Sequence, residues 1–113
     1  MCTKSKLQII LKKVETAAKQ LYGNKLNRII LYGSYARGDN TEESDIDIMI
    51  VLDCDAKEIK KLRSLTAEMA SDISLEQEVF LSVLLRDKEH FEDVLAFLPF
   101  YQNIEREGME VYG

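Results

Sequence analysis

Near its start, the sequence has apolar residues three and four positions apart, a spacing that predicts an amphipathic helix. Ser5 with Gln8 three residues later matches the capping-box pattern at the beginning of such a helix, and Gly23 is a typical end. The apolar positions of this predicted helix are Leu7, Ile10, Leu11, Val14, Ala17, Ala18 and Leu21.

Two short apolar segments follow, and each predicts a buried β-strand. Arg28 to Tyr32, RIILY, is rich in β-branched residues and stops at a glycine. Asp45 to Leu52, DIDIMIVL, alternates between two faces, and we expect helices to cover the isoleucine face. One face carries Asp45, Asp47, Met49 and Val51, and the other carries Ile46, Ile48, Ile50 and Leu52.

The next two predicted elements are a helix and a third strand. Asp55, with Glu58 three residues later, predicts the start of an amphipathic helix. Glu78 to Leu85, EVFLSVLL, then alternates as a strand does, so an acidic residue starts this strand as aspartates start the second. The face that begins with Glu78 continues with Phe80, Ser82 and Leu84.

The remaining pattern predicts two shorter helices and a final strand. Asp87 is a typical N-cap, Pro99 interrupts and restarts the helical pattern, and Met109 to Tyr112 fits a short strand. The sequence contains no internal repeat and no linker-like stretch. Residues 1–113 therefore predict a single domain of the α/β (α+β) class, with a small mixed sheet of three to four strands packed against helices.

Composition narrows the class of function. With 46% apolar and 31% charged residues, the chain has the balance of a soluble globular protein. The net charge of −5 argues against nucleic acid as a direct partner, because binding its backbone takes clustered Lys and Arg. The 2 cysteines form no CxxC pair and no segment is long enough to span a membrane, so we expect a cytoplasmic protein. The single histidine, His90, argues against a histidine-rich zinc site and against a Ser-His-Asp triad.

Gly33 and Ser34 stand where the first predicted strand ends. A glycine there permits a sharp turn, and a short helix just after it directs free N–H groups outward, which attracts phosphate. A Gly-Ser pair alone is common in turns, and the sequence lacks the motifs of a P-loop or a dinucleotide fold. Arg37 leaves two interpretations open: it contacts phosphate, or it pairs with an acidic residue such as Asp39 or Glu43.

Asp45 and Asp47 are two positions apart on a strand, so their side chains project to the same side, roughly 6–7 Å apart along the backbone. Two like charges held so close raise a pKa, and a divalent cation removes the conflict. Oxygen ligands favour Mg²⁺ or Mn²⁺ over zinc. A phosphate-binding turn beside two carboxylates is the arrangement that two-metal phosphoryl or nucleotidyl transfer requires.

GSYARG followed by DID, with ten residues between Ser34 and Asp45, resembles the motif of the DNA polymerase beta-type nucleotidyltransferase superfamily. The size and the ending FLPFYQNIEREGMEVYG resemble its minimal members, the MNT-domain proteins that pair with HEPN-domain partners in toxin–antitoxin modules. The resemblance implies the polymerase beta-type fold, ATP as the nucleoside triphosphate substrate, and two Mg²⁺ ions, with Mn²⁺ as the alternative. It also implies that Gly33, Ser34 and Arg37 bind the nucleotide and that Asp45 and Asp47 bind the metals.

A third carboxylate completes the resemblance. The family carries it on a later strand, and QEVFLSV places Glu78 there, so Asp45, Asp47 and Glu78 are the implied catalytic metal ligands. Many relatives have Asp at this position, so Glu78 departs from the pattern and its longer side chain changes the geometry. Glu76 has the same strand phase and is the fallback candidate.

The resemblance and the small size together predict the function. Little chain is left for an acceptor-binding domain, so we expect a protein partner to bring the acceptor. The expected enzyme is an antitoxin of the protein adenylyltransferase type, which transfers AMP from ATP to a hydroxyl of a cognate HEPN ribonuclease toxin. The expected acceptor is the hydroxyl of a tyrosine. One alternative is a catalytically weak or inactive antitoxin that neutralises its partner by binding alone. A second is a stand-alone nucleotidyltransferase that acts on small molecules.

Overall fold

A four-stranded mixed sheet separates two pairs of helices in the computed structural model, which describes residues 3–113. Met1 and Cys2 lie outside the described residues, so Cys54 is the one of the 2 cysteines that the described part of the chain contains. The elements are α1 (Lys4–Tyr22), β1 (Leu26–Tyr32), α2 (Ser34–Arg37), β2 (Ile46–Leu52), α3 (Ala56–Gln77), β3 (Leu81–Asp87), α4 (Lys88–Leu95), α5 (Pro99–Glu107) and β4 (Met109–Tyr112), with a single 3₁₀ turn at Gly23–Lys25.

The strand order across the sheet is β3-β2-β1-β4. β1 is antiparallel to both β2 and β4, whereas β2 and β3 are parallel. Parallel neighbours need a long crossover connection, and α3 provides it. The predicted mixed sheet of the α/β (α+β) class is therefore confirmed.

The alternation of β2 divides the core into two parts, as predicted. Its isoleucine face packs with buried residues of α1 and α3, and its other face packs Met49 and Val51 against α4 and α5. Ile48 and Ile50 are 0% exposed, and each buried side chain of this size contributes about 1.5–3 kcal/mol through removal from water. The central strand is thereby anchored on both faces.

Side-chain caps define where the helices begin. The predicted caps Asp55 and Asp87 are confirmed, since each accepts a hydrogen bond from the backbone three residues later. The predicted capping box at Ser5 is wrong: α1 begins at Lys4, and Thr3 accepts from the amide of Lys6 at 3.1 Å. No helix within residues 3–113 combines the length and apolar character that crossing a membrane requires.

The prediction that the third strand begins at Glu78 is also wrong. α3 continues to Gln77, and Glu78 ends it in the left-handed conformation, with φ 55°, while donating its amide to the carbonyl of Ser74. The Ser74 hydroxyl then accepts from the amide of Leu81, where β3 begins. Glu76, the fallback candidate, is helical and pairs with Lys13 of α1 at 2.8 Å.

Candidate active site

The site is organised by the turn that follows β1. Gly33 has φ 74° and ψ −154°, and its carbonyl accepts from the amides of Ala36 and Arg37, both at 3.1 Å. These bonds close the short helix α2, which ends at Gly38 in the left-handed conformation. The short helix expected after Gly33 is therefore present.

Gly33 lies directly against the carboxylate of Asp47. A Cβ atom added to Gly33 would meet Oδ2 of Asp47 at 2.4 Å, well inside van der Waals contact. The positive φ already favours glycine here, and the carboxylate occupies the space that any side chain would need. The turn and the aspartate pair thus form one site.

The two aspartates differ in their surroundings. Asp47 is half-buried within β2, whereas Asp45 is exposed just before the strand begins. Burial raises the pKa of the Asp47 carboxyl, the nearby charge of Asp45 raises it further, and Arg37 opposes the shift. The site therefore carries negative charge that its own residues do not fully balance. Two oxygen-bearing acids in this state suit a divalent cation such as Mg²⁺.

Asp47 is the middle of a row of three side chains on adjacent strands. Tyr32 of β1 is its partner on one side and Ser82 of β3 on the other. Burial, followed by the charge of Asp47, raises the pKa of Tyr32 to about 12. The sequence predicted neither neighbour, because strand register depends on pairing between distant segments.

The structure does not bring Glu78 into this row. Glu78 is exposed at the end of α3 and lines a cavity of about 180 Å³ with Lys6, Tyr35 and Ile46. Ile46 belongs to the face of β2 that is opposite to Asp47. Within residues 3–113, no three His, Cys, Asp or Glu side chains converge closely enough to hold a metal ion together. The metal-binding role of Glu78 stays a prediction, and the strand phase that motivated it is absent.

Arg37 connects the turn to α5. Its Nε lies 3.3 Å from Oδ2 of Asp39, the pairing that one interpretation predicted, and its Nη1 lies 3.8 Å from Oε2 of Glu107. A cleft of about 200 Å³ opens between these elements. It is lined by Tyr32, Gly33, Arg37, Phe100, Asn103, Ile104 and Glu107. The contribution of α5 was not predicted, since no local pattern in the sequence indicates which helix packs beside the turn.

Comparison with known proteins gives the family. The model of the nucleotidyltransferase domain family matches residues 11–110. The chain belongs to this family. Two proteins of Methanocaldococcus jannaschii, each named as a candidate protein adenylyltransferase, are similar along most of their length. One is 34% identical over 102 residues, covering 90% of this chain and 94% of the relative, and the other is 33% identical over 104 residues, covering 90% and 95%.

Solved structures of this nucleotidyltransferase fold agree. A crystal structure of a toxin–antitoxin with AMP-PNP has a TM-score of 0.59 and 20% identity, covering 91% of this chain and 73% of that chain. A mutant of the toxin–antitoxin MntA-HpeT has a TM-score of 0.56 and 23% identity, covering 90% and 71%. At these identities the likeness establishes the fold. The resemblance drawn from GSYARG and DID is confirmed, and the chain is a nucleotidyltransferase.

Proposed function

We propose that this nucleotidyltransferase transfers AMP from ATP to a hydroxyl group of a partner protein. The observation that carries the proposal is the contact between Gly33 and the Asp47 carboxylate, with Asp45 beside it. A turn suited to phosphate and a pair of acids suited to Mg²⁺ therefore occupy one place. The two Methanocaldococcus jannaschii relatives support the choice of AMP and of a protein acceptor, since both names describe adenylyl transfer to protein.

In this mechanism the chain binds and orients the nucleotide. Gly33 and Ser34 hold the terminal phosphates, and Arg37 exchanges its exposed partners for a phosphate oxygen, since such surface ion pairs contribute only about 0–1 kcal/mol. Asp45 and Asp47 would hold two Mg²⁺ ions, which when bound neutralise the phosphates and lower the pKa of the acceptor hydroxyl. The acceptor oxygen attacks the α-phosphorus, and the bond to the bridging oxygen breaks. Pyrophosphate leaves with that electron pair, and the hydroxyl proton passes to solvent.

The size of the cleft supports a protein acceptor. At about 200 Å³, below the roughly 300–1,000 Å³ typical of pockets that enclose a small ligand, it would leave a bound nucleotide open at the surface, where a second protein can present its hydroxyl. Phe100, which lines the cleft, is 47% exposed, and Phe97, three residues earlier in the chain, is 66% exposed; exposed aromatic side chains suit docking of another protein. We propose that the partner is a HEPN-type ribonuclease toxin and that the acceptor is a tyrosine. The fold neighbours solved as toxin–antitoxins support a toxin as the partner, and the resemblance of the sequence to MNT-domain proteins is the ground for the HEPN class and for the tyrosine.

The test is to incubate the purified chain with ATP, MgCl₂ and the protein encoded by the neighbouring gene, and to record intact masses. We expect the partner to gain the mass of AMP, and peptide mapping to place it on a tyrosine. Asp47→Asn should abolish the gain, while Asp53→Asn, at an exposed aspartate just after β2, should preserve it. A partner that binds tightly yet stays unmodified would refute transfer.

That last result would favour a second candidate function, an antitoxin that neutralises its partner by binding alone. One observation favours it: no third acidic side chain accompanies Asp45 and Asp47 within residues 3–113. A double Asp45→Ala/Asp47→Ala variant discriminates between the two functions. If this variant still neutralises the toxin in cells, binding is sufficient; if it does not, transfer is required.

A further inference from the structure

We propose that the hydroxyl of Ser82 occupies the third ligand position of this site, so that metal ions bind tightly only together with the nucleotide. The inference rests on the proposed function, because it concerns the same pair of aspartates. It also removes the need for Glu78, which lies at the end of α3 rather than on the strand beside Asp47.

Strand register places Ser82 beside Asp47. The two residues are direct partners in the parallel pairing of β2 with β3, where neighbouring strands lie about 4.8 Å apart. Their side chains share a face, because the next pair along, Met49 and Leu84, both pack in the cluster under α4 and α5. The intervening pair, Ile48 and Val83, packs on the opposite side of the sheet.

The Ser82 hydroxyl is available to a ligand. Ser82 is half-buried and makes no side-chain hydrogen bond with any of residues 3–113. The other residues of β3 on this face are Leu84 and Arg86, so the strand offers no acid there. Arg86 is engaged elsewhere, since it donates to the Tyr101 hydroxyl at 3.1 Å and to the Leu85 carbonyl at 2.9 Å.

A serine in this place changes the charge of the site. Asp45 and Asp47 supply two negative charges, whereas two Mg²⁺ ions bring four positive ones, and Ser82 contributes a neutral oxygen. The affinity of oxygen sites for divalent cations rises with the number of charged ligands. The triphosphate must therefore supply the missing negative charge, and the free protein should bind the metals weakly.

The experiment measures Mn²⁺ binding by electron paramagnetic resonance, with and without a non-hydrolysable ATP analogue. After subtraction of the Mn²⁺ that the analogue alone binds in solution, the wild-type chain should bind Mn²⁺ at least about tenfold more tightly with the analogue than without it. Ser82→Asp should tighten Mn²⁺ binding in the absence of nucleotide by about tenfold or more, because it adds a charged ligand. Ser82→Ala should weaken binding with the analogue by about two- to tenfold, the effect of losing one oxygen contact.

The control is Ser64, an exposed residue of α3, the helix that packs on the other face of the sheet. Ser64→Asp and Ser64→Ala should change the affinity for Mn²⁺ neither with nor without the analogue. The proposal is overturned if Ser82→Asp binds free Mn²⁺ no better than Ser64→Asp, or if the wild-type chain needs no nucleotide for tight binding. Should Ser82→Asp fail to fold by circular dichroism, an unchanged affinity in Ser82→Ala overturns it instead. Asp47→Asn tests the proposed function separately: if it leaves binding with the analogue intact, the aspartate site itself is refuted.

Discussion

Replacing Gly33 or Gly38 with alanine separates backbone strain from the contact with Asp47. Both glycines have positive φ, at 74° and 82°. An added Cβ at Gly38 would have no neighbour within 4 Å, whereas at Gly33 it would meet the Asp47 carboxylate at 2.4 Å. Gly38→Ala therefore measures strain alone, and Gly33→Ala measures strain plus a steric clash with the proposed metal ligand.

The magnitudes follow from the two conformations. Gly38 is in the left-handed helical region, where alanine costs about 1–2 kcal/mol. Gly33, with ψ −154°, lies in a region nearly restricted to glycine, where strain costs about 1–3 kcal/mol. Displacing the Asp47 carboxylate adds about 1–3 kcal/mol, as other overpacking substitutions do. The free energy of unfolding should therefore fall by about 2–6 kcal/mol for Gly33→Ala and by about 1–2 kcal/mol for Gly38→Ala.

Urea unfolding followed by circular dichroism measures both losses, and repeating it in an Asp47→Ala background isolates the clash. Without the carboxylate, Gly33→Ala should lose only the strain, so the two substitutions should couple by about 1–3 kcal/mol. Gly38→Ala should cost the same in either background. If the cost of Gly33→Ala is unchanged within about 0.5 kcal/mol by removal of Asp47, the proposed contact between turn and carboxylate is wrong.

Two further substitutions test the electrostatics of the site and the core beneath it. Asp47→Asn should raise the free energy of unfolding at pH 7 in metal-free buffer, because burial and Asp45 raise the pKa of Asp47 and so penalise its ionised form. The gain in the free energy of unfolding should shrink as pH falls through the raised pKa towards the ordinary value of 3.8, because the carboxyl of Asp47 then becomes neutral. Urea titrations across this pH range measure the gain, and a gain that does not change with pH would contradict the raised pKa of Asp47. Tyr22→Phe removes a buried hydroxyl 2.5 Å from Oγ1 of Thr66, which keeps its bond to the Leu62 carbonyl, so unfolding should become easier by about 1 kcal/mol. The half-exposed Tyr112→Phe is the control, and an equal loss in both would show that the buried bond contributes nothing.

Local signals in the sequence predicted much of this fold. The caps Asp55 and Asp87, the restart at Pro99 and the final strand Met109–Tyr112 all depend on residues close together in the chain. The strand β2 was predicted to within one residue, because alternating burial is a period that the sequence displays directly. The two aspartates were placed on one face by the same alternation, and the turn was predicted from the glycine at the end of the preceding strand.

The start of β3 could not be predicted in this way. The alternation in EVFLSVLL extends backwards into residues that form the end of α3, so the pattern alone gives no boundary. The boundary is set by contacts between distant segments, such as the pair between Glu76 and Lys13 of α1, and by the hydroxyl of Ser74. The prediction therefore placed Glu78 at the start of the third strand, whereas in the structure this strand begins at Leu81 and pairs Ser82 with Asp47.

The components of the site differ in how freely they can adjust to a nucleotide. Asp47 is held by pairing on both sides of β2 and by the contact with Gly33, so its carboxylate has little freedom to move. Asp45 is exposed ahead of the strand, and Arg37 has only surface ion pairs that are inexpensive to break. Binding of a metal–nucleotide complex should therefore rearrange Asp45 and Arg37 around a fixed Asp47. A rigid central ligand with adaptable neighbours is consistent with metals that arrive together with the nucleotide, because the final coordination is completed only when the phosphates are in place.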